Sequence, residues 1–212
     1  TAPEGSYEFR LTLTTDSTND FAFDEVKITT PEKKAVDAVY AASADQGLKD
    51  AFANYFRVGN ILNGYTVKNS GITSMIIKNY NSLECENETK PDATLVRNGS
   101  TNTDIKVTLN GAAAIIDFCI KNKIPLRGHA LVWHSQTPQW FFKDNFQDGG
   151  NWVSSNVMDQ RLESYIKNLF ALYQSQYPSL NLYAYDVCNE VVSDDANRTA
   201  NNGGARLPGY GN

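Results

Sequence analysis

The stretch Tyr183-Ala184-Tyr185-Asp186-Val187-Cys188-Asn189-Glu190-Val191-Val192 decides the fold. Aromatic and small residues alternate through its first half, β-branched residues follow at Val187, Val191 and Val192, and the turn signal Tyr177-Pro178-Ser179 lies just ahead. It therefore reads as a buried strand. Near its end an amide, Asn189, stands beside a carboxylate, Glu190. An unpaired carboxylate in the middle of a core strand is costly to bury, which predicts that Glu190 sits at the strand's C-terminal end and faces a cleft. The carboxyl ends of strands are where α/β proteins carry their chemistry.

Working outward, strands alternate with helices. Residues 56–62, 82–85 and 125–132 read as strands ahead of the one at 183. Helices are predicted over 71–80, over 107–122 with Ile115, Ile116, Phe118 and Cys119 inward, and over 158–177 with Leu162, Tyr165, Ile166, Leu169 and Phe170 at helical spacing. Such alternation implies an α/β fold with a parallel sheet. The N-terminus differs. Residues 7–14 and 21–29 alternate with period two around the turn-rich Asp16-Ser17-Thr18-Asn19-Asp20, predicting two antiparallel strands that cannot be stable alone. Thr30-Pro31-Glu32-Lys33 is a helix start, so a linker helix is expected over 31–44, followed by a second short helix over 47–54.

The 212 residues suffice for one large domain or a domain plus a fragment, and a charged fraction of 20% with a hydrophobic fraction of 41% is ordinary for a globular chain. A formal net charge of −5 argues against a nucleic-acid surface. No apolar run reaches the roughly 20 residues of a membrane span, and the start Thr1-Ala2-Pro3-Glu4 has no signal-peptide character. Cys85, Cys119 and Cys188 are odd in number and widely spaced, so buried free thiols are expected rather than a disulfide framework or a zinc site. His129 and His134 are a poor metal pair, since on an extended chain they point to opposite faces. No cofactor or metal is expected.

Three motifs carry a resemblance. Asp186-Val187-Cys188-Asn189-Glu190 resembles the acid/base strand of the glycoside hydrolase family 10 xylanases, Gly128-His129-Ala130-Leu131-Val132-Trp133-His134-Ser135-Gln136 resembles their third barrel strand, and Glu86-Asn87-Glu88-Thr89-Lys90-Pro91 resembles the loop after their second. The resemblance covers roughly residues 45–212 and implies a (β/α)8 TIM barrel of which the first four βα units are present, preceded by a short β-hairpin. Residues 1–30 are similar to the tail of a carbohydrate-binding β-sandwich module. The resemblance further implies endo-acting, retaining hydrolysis of β-1,4-xylosidic bonds in xylan, outside the cell. Glu190 is then the general acid/base, Asn189 binds the 2-hydroxyl of the sugar at the scissile bond, and His129 contacts the same sugar. Trp133 offers a flat wall, while Glu86, Asn87, Lys90 and Gln136 hold the next sugar.

The attacking carboxylate of the family belongs to a later strand, so a second polypeptide carrying the C-terminal half is expected as partner. Tyr185 stands where the family usually has Trp, Cys188 where it has a small apolar residue, and Thr89 where Met is common. From the residues alone, a non-catalytic carbohydrate-binding polypeptide and a barrel glycosidase acting on another β-linked polysaccharide remain alternatives. Glu86 and Lys90 could equally be a solvated pair on a loop.

Overall fold

A computed structural model describes residues 46–192 together with the two-residue strands β1 (Tyr7–Glu8) and β2 (Lys27–Ile28). β1 and β2 pair antiparallel, Tyr7 opposite Ile28 and Glu8 opposite Lys27. The rest of both predicted strands and the helix expected over 31–44 lie outside the described residues.

From residue 46 onward the order is α1 (Leu48–Ala51), β3 (Gly59–Leu62), α2 (Ser70–Asn79), β4 (Ser82–Cys85), α3 (Pro91–Thr94), β5 (Leu95–Thr101) and β6 (Asp104–Val107). Then come α4 (Ala113–Asn122), β7 (Leu126–Gly128), β8 (Val132–Trp133), α5 (Ser155–Gln176), β9 (Leu182–Tyr185) and β10 (Cys188–Asn189). β3, β4, β7 and β9 form one parallel sheet in that order, as the βα alternation predicts. Helix starts follow local chemistry: the Asn69 side chain accepts from the amides of Gly71 and Ile72, and Ser154 accepts from Val157.

Period-two alternation sorts the sheet's side chains. Leu62, Leu83, Cys85 and Leu126 turn toward the helices, where Ile76, Ile115, Ile116, Cys119, Tyr165 and Leu169 meet them, and none of the ten is more than 1% exposed. Burial of each large apolar side chain is worth roughly 1.5–3 kcal/mol, so this layer holds the fold. On the other face Ile61, Glu84 and Arg127 line up in register, exposed or half-buried.

Several expectations are corrected. The first strand is shorter, because Phe56 stacks on Phe52 with ring centroids 4.9 Å apart at the exit from α1. The helix predicted over 107–122 begins at Ala113, because Val107 pairs with Leu95 in an antiparallel hairpin of β5 and β6. The strands predicted over 125–132 and from 183 onward each break in two. Their second pieces, β8 and β10, leave the main sheet and pair with each other. The decisive stretch is consequently not buried throughout: Tyr183, Val187, Val191 and Val192 are exposed at the sheet's edge. Cys188, expected to be buried, is exposed for the same reason, while Cys85 and Cys119 are buried.

Arg161 on α5 is only 1% exposed. Its Nε and Nη2 donate to Asn102 Oδ1 at 2.9 and 2.8 Å, and its Nη1 donates to the carbonyls of Phe141 and Lys143 at 2.7 and 2.9 Å. The guanidinium also lies 4.0 Å from the Phe146 ring centroid. One cation thus ties the β5–β6 turn and the aromatic segment 140–146 to the helix, with carbonyl dipoles and a ring face meeting its charge. Among the described residues no helix is long and apolar enough to cross a membrane.

Candidate active site

The site is built where the third and fourth strands of the main sheet end. A Cβ on Gly128 would come within 2.1 Å of the Tyr185 ring, so only glycine lets the two strands approach there. The Tyr185 hydroxyl donates to the Thr89 carbonyl at 3.1 Å, and Thr89 Oγ1 donates to the His129 carbonyl at 2.8 Å. The His129–Ala130 peptide is cis. Past this point Leu131 and Val132 donate their amides to the carbonyls of Asp186 and Val187 at 2.9 and 3.0 Å, which starts the β8–β10 ribbon. Its register sets Trp133 opposite Asn189.

Glu190 is thereby delivered beside Trp133, whose Nε1–H donates to Glu190 Oε2 at 3.0 Å. His134 Nε2 lies 3.6 Å from the same oxygen. Glu190 and Gln136 both have positive φ, 51° and 44°. Backbone in that region is uncommon for residues other than glycine, and strain of this kind concentrates at functional sites.

A second group lies beyond the end of β4. Lys90 Nζ donates to Asn87 Oδ1 at 3.0 Å and to Gln136 Oε1 at 2.8 Å, while Gln136 Nε2 donates to Asn87 Oδ1 at 3.2 Å. Lys90 Nζ also stands 5.0 Å from the centroid of a Trp133 ring, linking this group to Glu190. Lys90 therefore spends its hydrogens on amides across the loops and does not form the Glu86 pair considered above. Glu86 Oε2 accepts instead from Asn63 Nδ2 at 2.6 Å.

Under the rim lies a charged cluster that sequence reading did not single out. His129 Nδ1 is 2.9 Å from Asp186 Oδ2 and 3.9 Å from Glu84 Oε1. Arg127 grips Asp186 through Nε and Nη2 and sits 3.7 Å from Glu84. Burial alone would raise the Asp186 carboxyl, but hydrogen bonds from Arg127 and His129 outweigh it and hold the group below the usual range. Burial raises Glu84, only partly countered by His129 and Arg127. With Asp186 ionised, the His129 Nδ1–H is the donor in that hydrogen bond. The donor atoms of Glu84, His129 and Asp186 lie within 4.8 Å of one another, close enough to hold a cation. The Arg127 guanidinium already pairs with Asp186 and stands beside Glu84, offsetting part of their charge, which marks an ion-pair cluster rather than a metal centre. The one sequence signal was position: Asp186, Arg127 and His129 all lie at or next to strand ends.

All eight residues singled out from sequence thus fall on one rim: Glu190, Asn189 and Trp133 on or beside the ribbon, His129 beneath it, and Glu86, Asn87, Lys90 and Gln136 around the neighbouring loop. Comparison with known proteins identifies the family. The model of glycosyl hydrolase family 10 matches residues 47–210. The chain belongs to that family. It is 66% identical over 211 residues to endo-1,4-β-xylanase Y of Acetivibrio thermocellus, a match spanning 100% of this chain and 19% of that protein. It is 44% identical over 168 residues to the bifunctional endo-1,4-β-xylanase XylA of Ruminococcus flavefaciens, covering 77% of this chain and 17% of that one.

Among solved structures, it is similar to the CBM22-1–GH10 modules of an N-terminal endo-1,4-β-D-xylanase of Clostridium thermocellum complexed with xylohexaose. That match has 67% identity and a TM-score of 0.76 and covers 94% of this chain and 37% of that one. The chain therefore spans well under half the length of these relatives. The family fold is a (β/α)8 barrel, and the four parallel strands with their helices are part of one.

Proposed function

We propose that this chain supplies the first half of the barrel of an endo-acting, retaining β-1,4-xylanase in which Glu190 is the general acid and base. The observation that carries this reading is the seat of Glu190, a carboxylate at the end of the fourth parallel strand, oriented by the Trp133 indole N–H at 3.0 Å. The xylanase names of the relatives and the xylohexaose bound by one of them support the substrate class.

Retaining hydrolysis needs two carboxyl groups about 5–5.5 Å apart. In this reading Glu190 gives its proton to the glycosidic oxygen as the C–O bond breaks. A second carboxylate forms the bond to the sugar carbon; water then replaces that carboxylate and returns its proton to Glu190. The nucleophile lies outside residues 1–212, on four further βα units that a second polypeptide can carry. Asn189 donates to the 2-hydroxyl beside the scissile bond, and His129 contacts the same sugar. Asn87, Lys90 and Gln136, already knit by hydrogen bonds, and Glu86, held by Asn63, hold the next sugar against Trp133 without having to be ordered by it. In this reading residues 1–30 belong to a carbohydrate-binding module, and the solved relative carries a CBM22-1 module together with its GH10 module. A polymeric substrate suits an extracellular enzyme.

The test is hydrolysis by the full-length protein of xylan and other β-linked glucans, with the anomer of the first product followed by proton NMR. The expected result is preference for xylan and release of the β-anomer. Residues 1–212 expressed alone should be inert on xylan. Release of the α-anomer, or substantial turnover by residues 1–212 alone, contradicts the reading.

A further inference from the structure

We propose that Tyr65 is a stacking platform for a xylosyl residue lying beyond the one held by Glu86, Asn87 and Lys90, at the end of the cleft farthest from Glu190. The inference rests on the function proposed above and extends its cleft by one subsite. Strand order carries it. Glu190 follows β10 in the segment that leads out of β9, His129 follows β7, the Glu86–Lys90 loop follows β4, and Tyr65 follows β3, the strand at the edge of the main sheet opposite β9. Adjacent strands are about 4.8 Å apart, so β3, the strand ahead of Tyr65, is about 14 Å across the sheet from β9, which leads to Glu190. The carbohydrate contacts therefore run in a line, and Tyr65 stands at its outer end.

Tyr65 is 88% exposed, the most exposed of the large apolar or aromatic side chains among the described residues. A single exposed aromatic is ordinary on a protein surface. What sets this one apart is an uncovered ring on a fixed backbone. The Tyr65 amide donates to Asn63 Oδ1 at 2.9 Å, and its carbonyl accepts from the Lys68 amide at 3.1 Å. The same Asn63 holds Glu86, and the Gly64 amide donates to Glu88 Oε1 at 2.8 Å, so the Tyr65 loop is tied to the Glu86–Lys90 loop at two points.

The ring needs only two torsions fixed to meet a ligand, and it joins an apolar face to a hydrogen-bonding tip, which matches a pyranose. Trp152, 62% exposed, makes the contrast: Lys143 Nζ already lies 3.6 Å from its ring centroid. Tyr65 has no ring or cation contact among the described residues.

The experiment compares aryl β-xylobioside with aryl β-xylotrioside in the full-length protein, wild type against Tyr65→Ala and Tyr65→Phe. Loss of one stacking contact predicts kcat/KM on the trioside falling about three- to tenfold in Tyr65→Ala. On the bioside, which does not reach Tyr65, it should be unchanged, and Tyr65→Phe should match the wild type on both. Equal effects of Tyr65→Ala on the two substrates, or none on either, overturn the inference while leaving the xylanase reading intact. A Tyr65→Phe as impaired as Tyr65→Ala also overturns it, since the hydroxyl would then be the contact. A wild type that cleaves neither glycoside brings down the functional reading and this one with it.

Discussion

The two faces of the parallel sheet are made by the same strands and behave differently. Toward the helices stand Leu62, Leu83, Cys85 and Leu126, fully buried and purely apolar. Toward the barrel interior, one residue away along each strand, stand Ile61, Glu84 and Arg127, with His129 and Asp186 joining them at the rim. The first face gains stability from area removed from water and is indifferent to pH. The second gains little from area, and its ion pairs hold His129 in one orientation at the cost of partly desolvating Glu84. Stability and positioning are thus separated by a single step in the pleat, so substitutions on the two faces should differ in both size and pH dependence.

The largest effect is expected on the helix side. Leu126→Ala should lower unfolding free energy by about 2–5 kcal/mol in denaturant titrations, equally at pH 4 and pH 7, because it leaves a cavity among rigid neighbours. On the interior side Asp186→Asn should cost about 1 kcal/mol at pH 7, its charged hydrogen bonds being discounted for a half-exposed Arg127. The folded-state affinity of Asp186 for a proton is lowered, so its contribution is present above the unfolded value, about 4, and is lost as pH falls through the lower folded one. The Asp186→Asn penalty should therefore shrink on acidification. The smallest effect has the opposite sign. Glu84 is raised by burial, so its contribution is present at low pH and is lost as pH rises through the folded value. Glu84→Gln should then be slightly stabilising at pH 7 and neutral below about pH 4. Equal pH profiles for Leu126→Ala and Asp186→Asn would erase the distinction between the faces.

Much of this was legible in the sequence. Ser82–Cys85 is a strand to the residue, because its alternation is bounded on both sides, and the long helix differs from its prediction only at the ends. The hairpin of β5 and β6 was missed. Its turn signal, Asn98-Gly99, is displaced from the turn itself by a bulge at which Gly99 takes φ +79°. The break between β7 and β8 has no local signal at all, since Gly128 to Trp133 reads as one apolar run. It is set by tertiary contacts of Tyr185 and Thr89, two positions noted in sequence only as departures from the family pattern. Tyr185 bonds to Thr89, and Thr89 to His129. The motif residues were found from sequence because they are chemically unusual at strand ends. The ion-pair cluster beneath them was not, because Glu84 and Arg127 meet only once β4 and β7 pair.

The central claim is that Glu190 is the acid, and Glu190→Ala in the full-length protein tests it most directly. General acid catalysis is worth roughly 10²–10⁴-fold, so kcat/KM on xylo-oligosaccharides, whose leaving alcohols are poor, should fall by two orders of magnitude or more. On an aryl glycoside whose leaving group departs without a proton, the fall should be far smaller. A loss of equal size on both substrates would contradict the account, because it would show that Glu190 does not protonate the leaving oxygen.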